Sequence, residues 1–211
     1  MQPPKSELCV VCGIRPATTR DHVPPKCFFR GLQATLDTVP ACGQCNCGAS
    51  SDDEDMRFFV SMQVGKQAPG AASLWEDGAL KSVKRKASLR QQVTSTAREI
   101  LVADSSGSVS PRIAVEVPAR LYDSVFGRTT RGLYFLRTAR ILGLDVPVQV
   151  APLTSPPSEE VLAPFQYREV GSGAFSYWFG IAADDQSSSL WLYRFYGSHW
   201  VQATTGNASD A

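Results

Sequence analysis

Apolar and polar residues recur at regular spacings along most of the chain. Near the N-terminus, β-branched stretches at 17–23 and 34–40 predict two short strands. Residues 51–64 then carry apolar side chains at helical spacing, and so do residues 79–102, whose lysines and arginines lie largely off the apolar face. The pattern therefore predicts a strand–strand–helix unit followed by a basic helix.

The C-terminal half has a different pattern. Residues 105–111, SSGSVSP, are small and polar and predict a linker between two halves. Residues 112–117 predict a strand, and 119–126 and 129–143 predict two helices. A further strand is predicted at 146–152, and the end of the chain alternates in the manner of an antiparallel meander, at 164–170, 174–183, 189–197 and 198–204. The predicted fold class is therefore α+β.

Composition is typical of a folded globular protein, with 43% apolar and 19% charged residues. No apolar window is long enough for a membrane span, and the N-terminus lacks a basic start followed by an apolar run, so we expect a cytoplasmic protein with no membrane partner. The net charge of +1 hides an uneven distribution, because residues 52–55 read DDED whereas residues 81–98 hold no acid. Basic residues of that second stretch are candidates for nucleic-acid contacts, although charge runs are more often solvated faces: Lys81, Lys84, Arg85, Lys86 and Arg90.

All six cysteines lie within the first 47 residues, which is not the spread of a disulfide scaffold. Four of them form two C-x2-C pairs, a spacing that lets the thiolates reach one tetrahedral zinc ion: Cys9, Cys12, Cys42 and Cys45. Redox use of a C-x-x-C motif is the competing interpretation. Cys27 and Cys47 are expected to be small buried apolar residues, and Cys47 in place of Cys45 as a ligand is the poorer fit. The sequence thus predicts a structural zinc site.

The segment between the two cysteine pairs carries the candidate chemistry. Asp21-His22 lies at the end of the first predicted strand, Asp37 lies five residues before Cys42, and Asn46 directly follows Cys45. Taken alone, Asp21-His22 is most simply a turn with a hydrogen-bonded histidine, and Asn46 a cap or turn residue. Their position between two zinc-binding pairs favours a catalytic function instead.

This arrangement resembles the HNH, or ββα-metal, endonucleases of bacteria and phages, in particular the zinc-containing branch of the endonuclease VII type. The resemblance covers residues 9 to about 60. It implies that His22 is a general base, that Asp21 and Asn46 bind a catalytic divalent ion, and that Asp37 takes the place of a middle asparagine that positions the histidine loop. Aspartate at 37 departs from that pattern, and Thr38 or the backbone could supply the interaction that is lost.

The implied chemistry is hydrolysis of phosphodiester bonds in DNA, with RNA as a further substrate class. Carboxylate and carboxamide oxygens suit Mg²⁺ or Mn²⁺, and two protein ligands leave room for phosphate and water. A neutral histidine would take the proton from the attacking water on the opposite side of the phosphorus. The expected domains are a zinc-braced HNH nuclease module at 1–64, a basic helical connection at 65–104 and an α+β domain at 105–211.

Some alternatives stay open at this point. Asp53 or Asp55 could join the metal site, although helix capping explains both acids more simply. The aromatic residues of the meander could stack on unpaired bases, although they more often pack a sheet core. A homodimer would make double-strand cutting easier. The rival function from another class is a zinc-dependent nucleic-acid-binding or interaction module without catalysis.

Overall fold

The computed structural model describes residues 5–62, 69–75, 78, 80–103 and 106–206. It contains two two-stranded antiparallel sheets and one five-stranded antiparallel sheet, joined by helices. The mixed α+β class that the sequence predicts is confirmed.

The N-terminal unit is an antiparallel strand pair followed by helices. Strands β1 (Thr19–Val23) and β2 (Asp37–Ala41) pair so that Thr19 lies opposite Ala41 and Val23 opposite Asp37. A 3-10 turn (Lys26–Phe29) lies between the two strands. Two helices follow β2: α1 (Gly43–Cys47) and α2 (Ser50–Ser61). Both predicted strands and the predicted helix are confirmed, and residues 63 and 64 of that helix lie outside the described residues.

Helix α2 begins with acidic residues and ends in the core. Asp52 and Asp53 lie in its first turn, where carboxylates are stabilised by the positive end of the helix dipole. Its last turns are buried on almost all sides, including Met56 and Val60. The helix therefore joins a charged N-terminal end to the apolar interior.

The single helix predicted over 79–102 is wrong. After α3 (Pro69–Leu74), the chain forms α4 (Leu80–Arg85) and α5 (Ala87–Thr96), and Lys86 between them has an extended backbone. Residues beyond Ala97 form strand β3 (Arg98–Ala103) instead. The run Glu99-Ile-Leu-Val102 is rich in β-branched residues, which favour a strand over a helix.

The linker predicted at 105–111 is also wrong. Its last three residues belong to strand β4 (Val109–Ala114), which pairs antiparallel with β3 so that Val109 lies opposite Ala103. The small polar residues therefore connect the strands of a hairpin rather than two halves of the protein. This hairpin leaves apolar side chains exposed, among them Leu101, Val109 and Ile113.

The two helices predicted around 119–143 are one continuous helix. It consists of α6 (Ala119–Leu121), a π-helical turn (Tyr122–Phe126) and α7 (Gly127–Thr138). It ends at Ala139, whose left-handed backbone, with φ of 58°, closes the last turn. This helix carries Arg128 and, on its buried side, Phe126 and Leu133.

The predicted meander is confirmed as a five-stranded sheet. Its strands have the spatial order β5-β9-β8-β7-β6, so the strand before the meander pairs with the last one. The strands are β5 (Val148–Pro152), β6 (Gln166–Val170), β7 (Phe175–Ile181), β8 (Ser189–Phe195) and β9 (His199–Thr205), with the short helix α8 (Glu159–Leu162) before β6.

One face of this sheet is an aromatic core. Trp191 is fully buried and stacks on Phe179 with ring centroids 5.0 Å apart. Trp178 and Trp200 stack on each other at 5.2 Å on the other face, under the guanidinium of Arg194. The expectation that these aromatics pack the sheet is therefore met by Trp191 in particular.

The main core joins the N-terminal unit to this sheet. Its buried residues include Val23 of β1, Val39 of β2, Met56 of α2 and Trp191 of β8 in a single cluster. Within the described residues, no helix is both long and apolar enough to cross a lipid bilayer.

Candidate metal centre and active site

Four cysteine side chains converge at the base of the β1–β2 pair. The Sγ atoms of Cys9, Cys12, Cys42 and Cys45, hereafter the cysteine cluster, all lie within 4.8 Å of one another. Four sulfurs at this separation can surround one tetrahedral zinc ion. The predicted metal-binding set is thus brought together, and no other group of three His, Cys, Asp or Glu side chains is that close in the described part of the chain.

Local backbone geometry explains why both pairs can converge. Gly13, directly after the first pair, has a φ of +66°, which glycine adopts without strain. Cys42 caps the N-terminus of α1, where its Sγ accepts a hydrogen bond from the backbone N–H of Cys45 at 3.4 Å. Each C-x2-C pair is therefore held in a tight turn.

The surroundings of Cys42 favour its thiolate form. The backbone N–H of Cys45 lowers the pKa of the Cys42 thiol to about 6, and the guanidinium of Arg15, 3.8 Å from the sulfur, adds to the effect. Burial acts in the opposite direction on Cys45, whose thiol pKa is raised. Because zinc binds thiolates, Cys42 is the ligand that is most ready to bind at neutral pH.

Asn46 is fastened to the strand that carries Asp21. Its Nδ2 donates to Thr19 Oγ1 at 3.1 Å and to the backbone oxygen of Arg20 at 3.0 Å. Thr19, Asp21 and Val23 share one face of β1, hereafter the carboxylate face, because side chains alternate along a strand. Asn46 is therefore tied to the main chain of β1 directly before Asp21, and its Oδ1 has no hydrogen-bond partner among the described residues.

Asp21 itself is buried and paired with an arginine. Its side chain is 9% exposed, and its Oδ2 lies 3.3 Å from Nε of Arg128, whose side chain is 6% exposed. The same guanidinium donates through Nη2 to Asp53 of α2. Burial raises the pKa of Asp21, and it raises that of Asp53 to about 6, while the arginine charge opposes both shifts.

His22 lies on the opposite face of the strand from Asp21. It is opposite Thr38 in the register and is half-buried. Among the described residues no hydrogen bond reaches its imidazole. The two neighbouring residues therefore point to different sides of the β1–β2 pair.

Asp37 contacts the C-terminal half rather than His22. It lies opposite Val23 in the register, its side chain is 58% exposed, and its Oδ2 is 3.9 Å from Nη2 of Arg137. Arg137 in turn donates to the hydroxyl of Tyr177 at 2.6 Å. Thr38 shares the face of His22, but its hydroxyl accepts a hydrogen bond from Arg20 at 2.7 Å.

The acidic run at 52–55 is paired with cations from several elements. Asp52 binds Arg120 at 2.7 Å, and Glu54 binds Arg57 at 2.6 Å and Arg30 at 2.7 Å. The remaining two acids are Asp53, bound to Arg128, and Asp55, bound to Lys86 at 2.6 Å. Asp55 is thereby committed to an ion pair, whereas Asp53 shares its cation with Asp21.

The predicted nucleic-acid-binding residues fall into two groups. Lys86 is committed to the buried Asp55 and also donates to Ser51 Oγ at 2.7 Å. The other four are exposed on α4 and α5: Lys81, Lys84, Arg85 and Arg90. Cationic side chains on exposed helices can contact a phosphate backbone, so nucleic-acid binding stays a prediction for this second group.

Arg128 is the residue of this site that sequence reasoning missed. It occurs in an acid-free stretch over residues 128–140, but nothing in that pattern indicates which arginine is buried. Its partners, Asp21 and Asp53, lie 107 and 75 positions earlier in the chain, so only the tertiary fold brings the three together.

Comparison with protein-family models, with curated proteins and with solved structures found no match for this chain.

Proposed function

We propose that this protein is a metal-dependent endonuclease of the HNH, or ββα-metal, type that hydrolyses phosphodiester bonds in DNA. The observation that carries the proposal is the attachment of Asn46 to the main chain beside Asp21, next to a cluster of four cysteines. The two Nδ2 hydrogen bonds hold the carboxamide so that its Oδ1 is left without a protein partner, and that oxygen is a donor a divalent ion can use.

The donor set on the carboxylate face fits a hard divalent ion. Asp21 offers a carboxylate, and the Nδ2 hydrogen bonds of Asn46 leave its Oδ1 as an unused oxygen donor. When bound there, Mg²⁺ or Mn²⁺ would neutralise charge on the scissile phosphate and on the leaving oxygen. Zinc would take the cysteine cluster, where it would brace the strands without a part in the chemistry.

His22 would act as the general base. Its imidazole has no hydrogen-bond partner within the described residues, so a lone pair is available to accept a proton from water. In-line hydrolysis needs the base and the leaving-group stabiliser on opposite sides of the phosphorus, which is the division of roles proposed for His22 and the cation.

A second candidate function is a zinc-dependent nucleic-acid-binding module without catalysis. The ion pair between Asp21 and Arg128 favours it, because a carboxylate already neutralised by a buried arginine is a weaker ligand for a cation. The exposed basic residues of α4 and α5 serve either function.

Plasmid nicking separates the two candidates. With Mg²⁺ or Mn²⁺ the wild-type protein should convert supercoiled plasmid to the nicked form, and His22→Ala should be slower by ~10²–10⁴-fold, the usual contribution of a general base. His199→Phe is the matched control, since it removes the other histidine of the chain and should nick like wild type. Equal rates for wild type and His22→Ala contradict the proposal, and binding without nicking by the wild type favours the second candidate.

A further inference from the structure

Arg128 places a fixed positive charge between Asp21, a candidate metal ligand, and Asp53 of α2. Its Nε lies 3.3 Å from Asp21 Oδ2, and its Nη2 donates to Asp53 Oδ1. All three side chains are largely buried, with exposed fractions of 6% for Arg128, 9% for Asp21 and 13% for Asp53. Water therefore screens these charges weakly.

Arg128 is not fully satisfied by this arrangement. Its Nη1 atom is buried and has no hydrogen-bond partner among the described residues. A buried donor without a partner keeps its desolvation penalty, so this guanidinium is held by its two carboxylates rather than by a full set of hydrogen bonds. The position suits a cation whose task is to neutralise carboxylates.

We propose that Arg128 is an internal counter-ion of the Asp21–Asn46 site, which lowers the affinity of that site for a divalent metal ion. This inference rests on the proposed function, since it assumes that Asp21 is a ligand. A divalent ion beside Asp21 lies within a few ångströms of the guanidinium, and the two cations repel each other. Metal binding requires Arg128 to move away from Asp21. Asp53 is the anion that remains paired with the guanidinium when this happens.

The test is the affinity of the full-length, zinc-loaded protein for Mn²⁺. The concentration of free Mn²⁺ is measured by electron paramagnetic resonance. Arg128→Gln keeps a polar side chain that can still donate hydrogen bonds, although it is two atoms shorter, and it removes the charge. It should bind Mn²⁺ on the order of tenfold or more tightly than wild type. Arg120→Gln is the matched control, because it makes the same change at the exposed pair with Asp52 and should leave the affinity unchanged.

Asp21→Asn separates failure of this inference from failure of the proposed function. If Asp21→Asn abolishes Mn²⁺ binding while Arg128→Gln binds no better than wild type, the counter-ion role is overturned and the cation site stands. If Asp21→Asn binds Mn²⁺ as well as wild type does, the ion is not at Asp21, and both the site and the counter-ion role are overturned.

A second measurement uses the wild-type protein, so it does not depend on the folding of Arg128→Gln. In a Mg²⁺ titration followed by nuclear magnetic resonance, the Nε–H signal of Arg128 should move over the same concentration range as the side-chain amide signals of Asn46. Movement of the Asn46 signals with an unchanged Arg128 signal overturns the inference.

Discussion

The N-terminal β1–β2 pair and the C-terminal five-stranded sheet are both antiparallel, yet they are stabilised differently. The sheet is packed by large aromatic side chains, with Trp191, Tyr193 and Phe195 all fully buried in the main core. One end of the β1–β2 pair rests on a small cluster that consists of Cys9, Cys12, Ala41 and Cys42. A two-stranded sheet is marginally stable by itself, so a metal ion bound by the four cysteines would add stability at that end of the pair.

This difference shows where precise geometry is available for chemistry. The candidate residues Asp21, His22 and Asn46 all lie in the region of the cysteine cluster. The sheet carries no candidate catalytic residue, and its buried histidine, His199, stacks against Tyr122 with ring centroids 6.0 Å apart. The comparison predicts that changes in one region leave the other largely intact.

The largest effect is expected from Cys42→Ser. A structural zinc site contributes about 10–16 kcal/mol in zinc-finger peptides, and a three-thiolate remnant should retain little of it. Zinc content should fall from one equivalent to almost none, and hydrogen exchange should speed up in β1 and β2 while β8 stays protected. Cys47→Ser is the control, because Cys47 is exposed and outside the cluster. Full zinc content in Cys42→Ser would contradict the assignment of the ligands.

Trp191→Ala makes the converse change. Removing a fully buried indole should cost about 3–5 kcal/mol in the free energy of unfolding, measured by urea denaturation. Trp178→Ala, on the other face of the sheet, should cost clearly less, because Trp178 is only half-buried. Zinc content should be unchanged in both variants. A loss of zinc in Trp191→Ala would show that the metal site depends on the packing of the five-stranded sheet.

A pH dependence of smaller size should come from His199. Burial lowers the pKa of its imidazole from 6.5 to about 4, so the unfolded chain binds a proton that the folded protein refuses. Stability should therefore fall as the pH drops from about 6.5 towards 4, by up to about 3 kcal/mol. His199→Phe should flatten this slope relative to wild type in urea denaturation at a series of pH values. An equally steep slope in the variant would assign the effect to other groups.

The smallest effect is expected from Arg30→Met, which removes an exposed ion pair near α2. The Arg30 side chain is 56% exposed, and Glu54 keeps its second partner, Arg57. The cost should be below about 1 kcal/mol, as for most surface pairs. Lys86→Met should cost more in the same denaturation experiment, because it leaves the buried Asp55 without a cation. A larger cost for Arg30→Met than for Lys86→Met would contradict the conclusion that the Arg30–Glu54 pair is exposed and that Asp55 is buried.

Local patterns in the sequence were sufficient for the elements that depend on local chemistry. The C-x2-C spacing predicted the cysteine cluster, and apolar alternation predicted the strands of the sheet. The sequence did not predict the break at Lys86 or the β3–β4 hairpin. Apolar residues over 79–102 fit one helical period, although the structure divides this segment into α4, α5 and β3. Helical spacing and strand alternation overlap in such short apolar runs.

The candidate site was predictable only in part. Asp21, His22 and Asn46 could be identified from their positions relative to the cysteines, and strand alternation could have shown that Asp21 and His22 face opposite ways. The pairing of Asp37 with Arg137 and of Asp21 with Arg128 depends on the packing of α7 against the N-terminal strands. No spacing in the sequence carries that information.

The central claim is that Asp21 and Asn46 hold one and the same cation. A double-mutant cycle on the rate of Mn²⁺-dependent plasmid nicking, with zinc content verified for every variant, tests it most directly. If both residues bind one ion, Asp21→Asn and Asn46→Ala each slow nicking strongly, and the double variant is no slower than the slower single variant. Two losses that multiply in the double variant, or single variants that nick like wild type, would contradict the shared site.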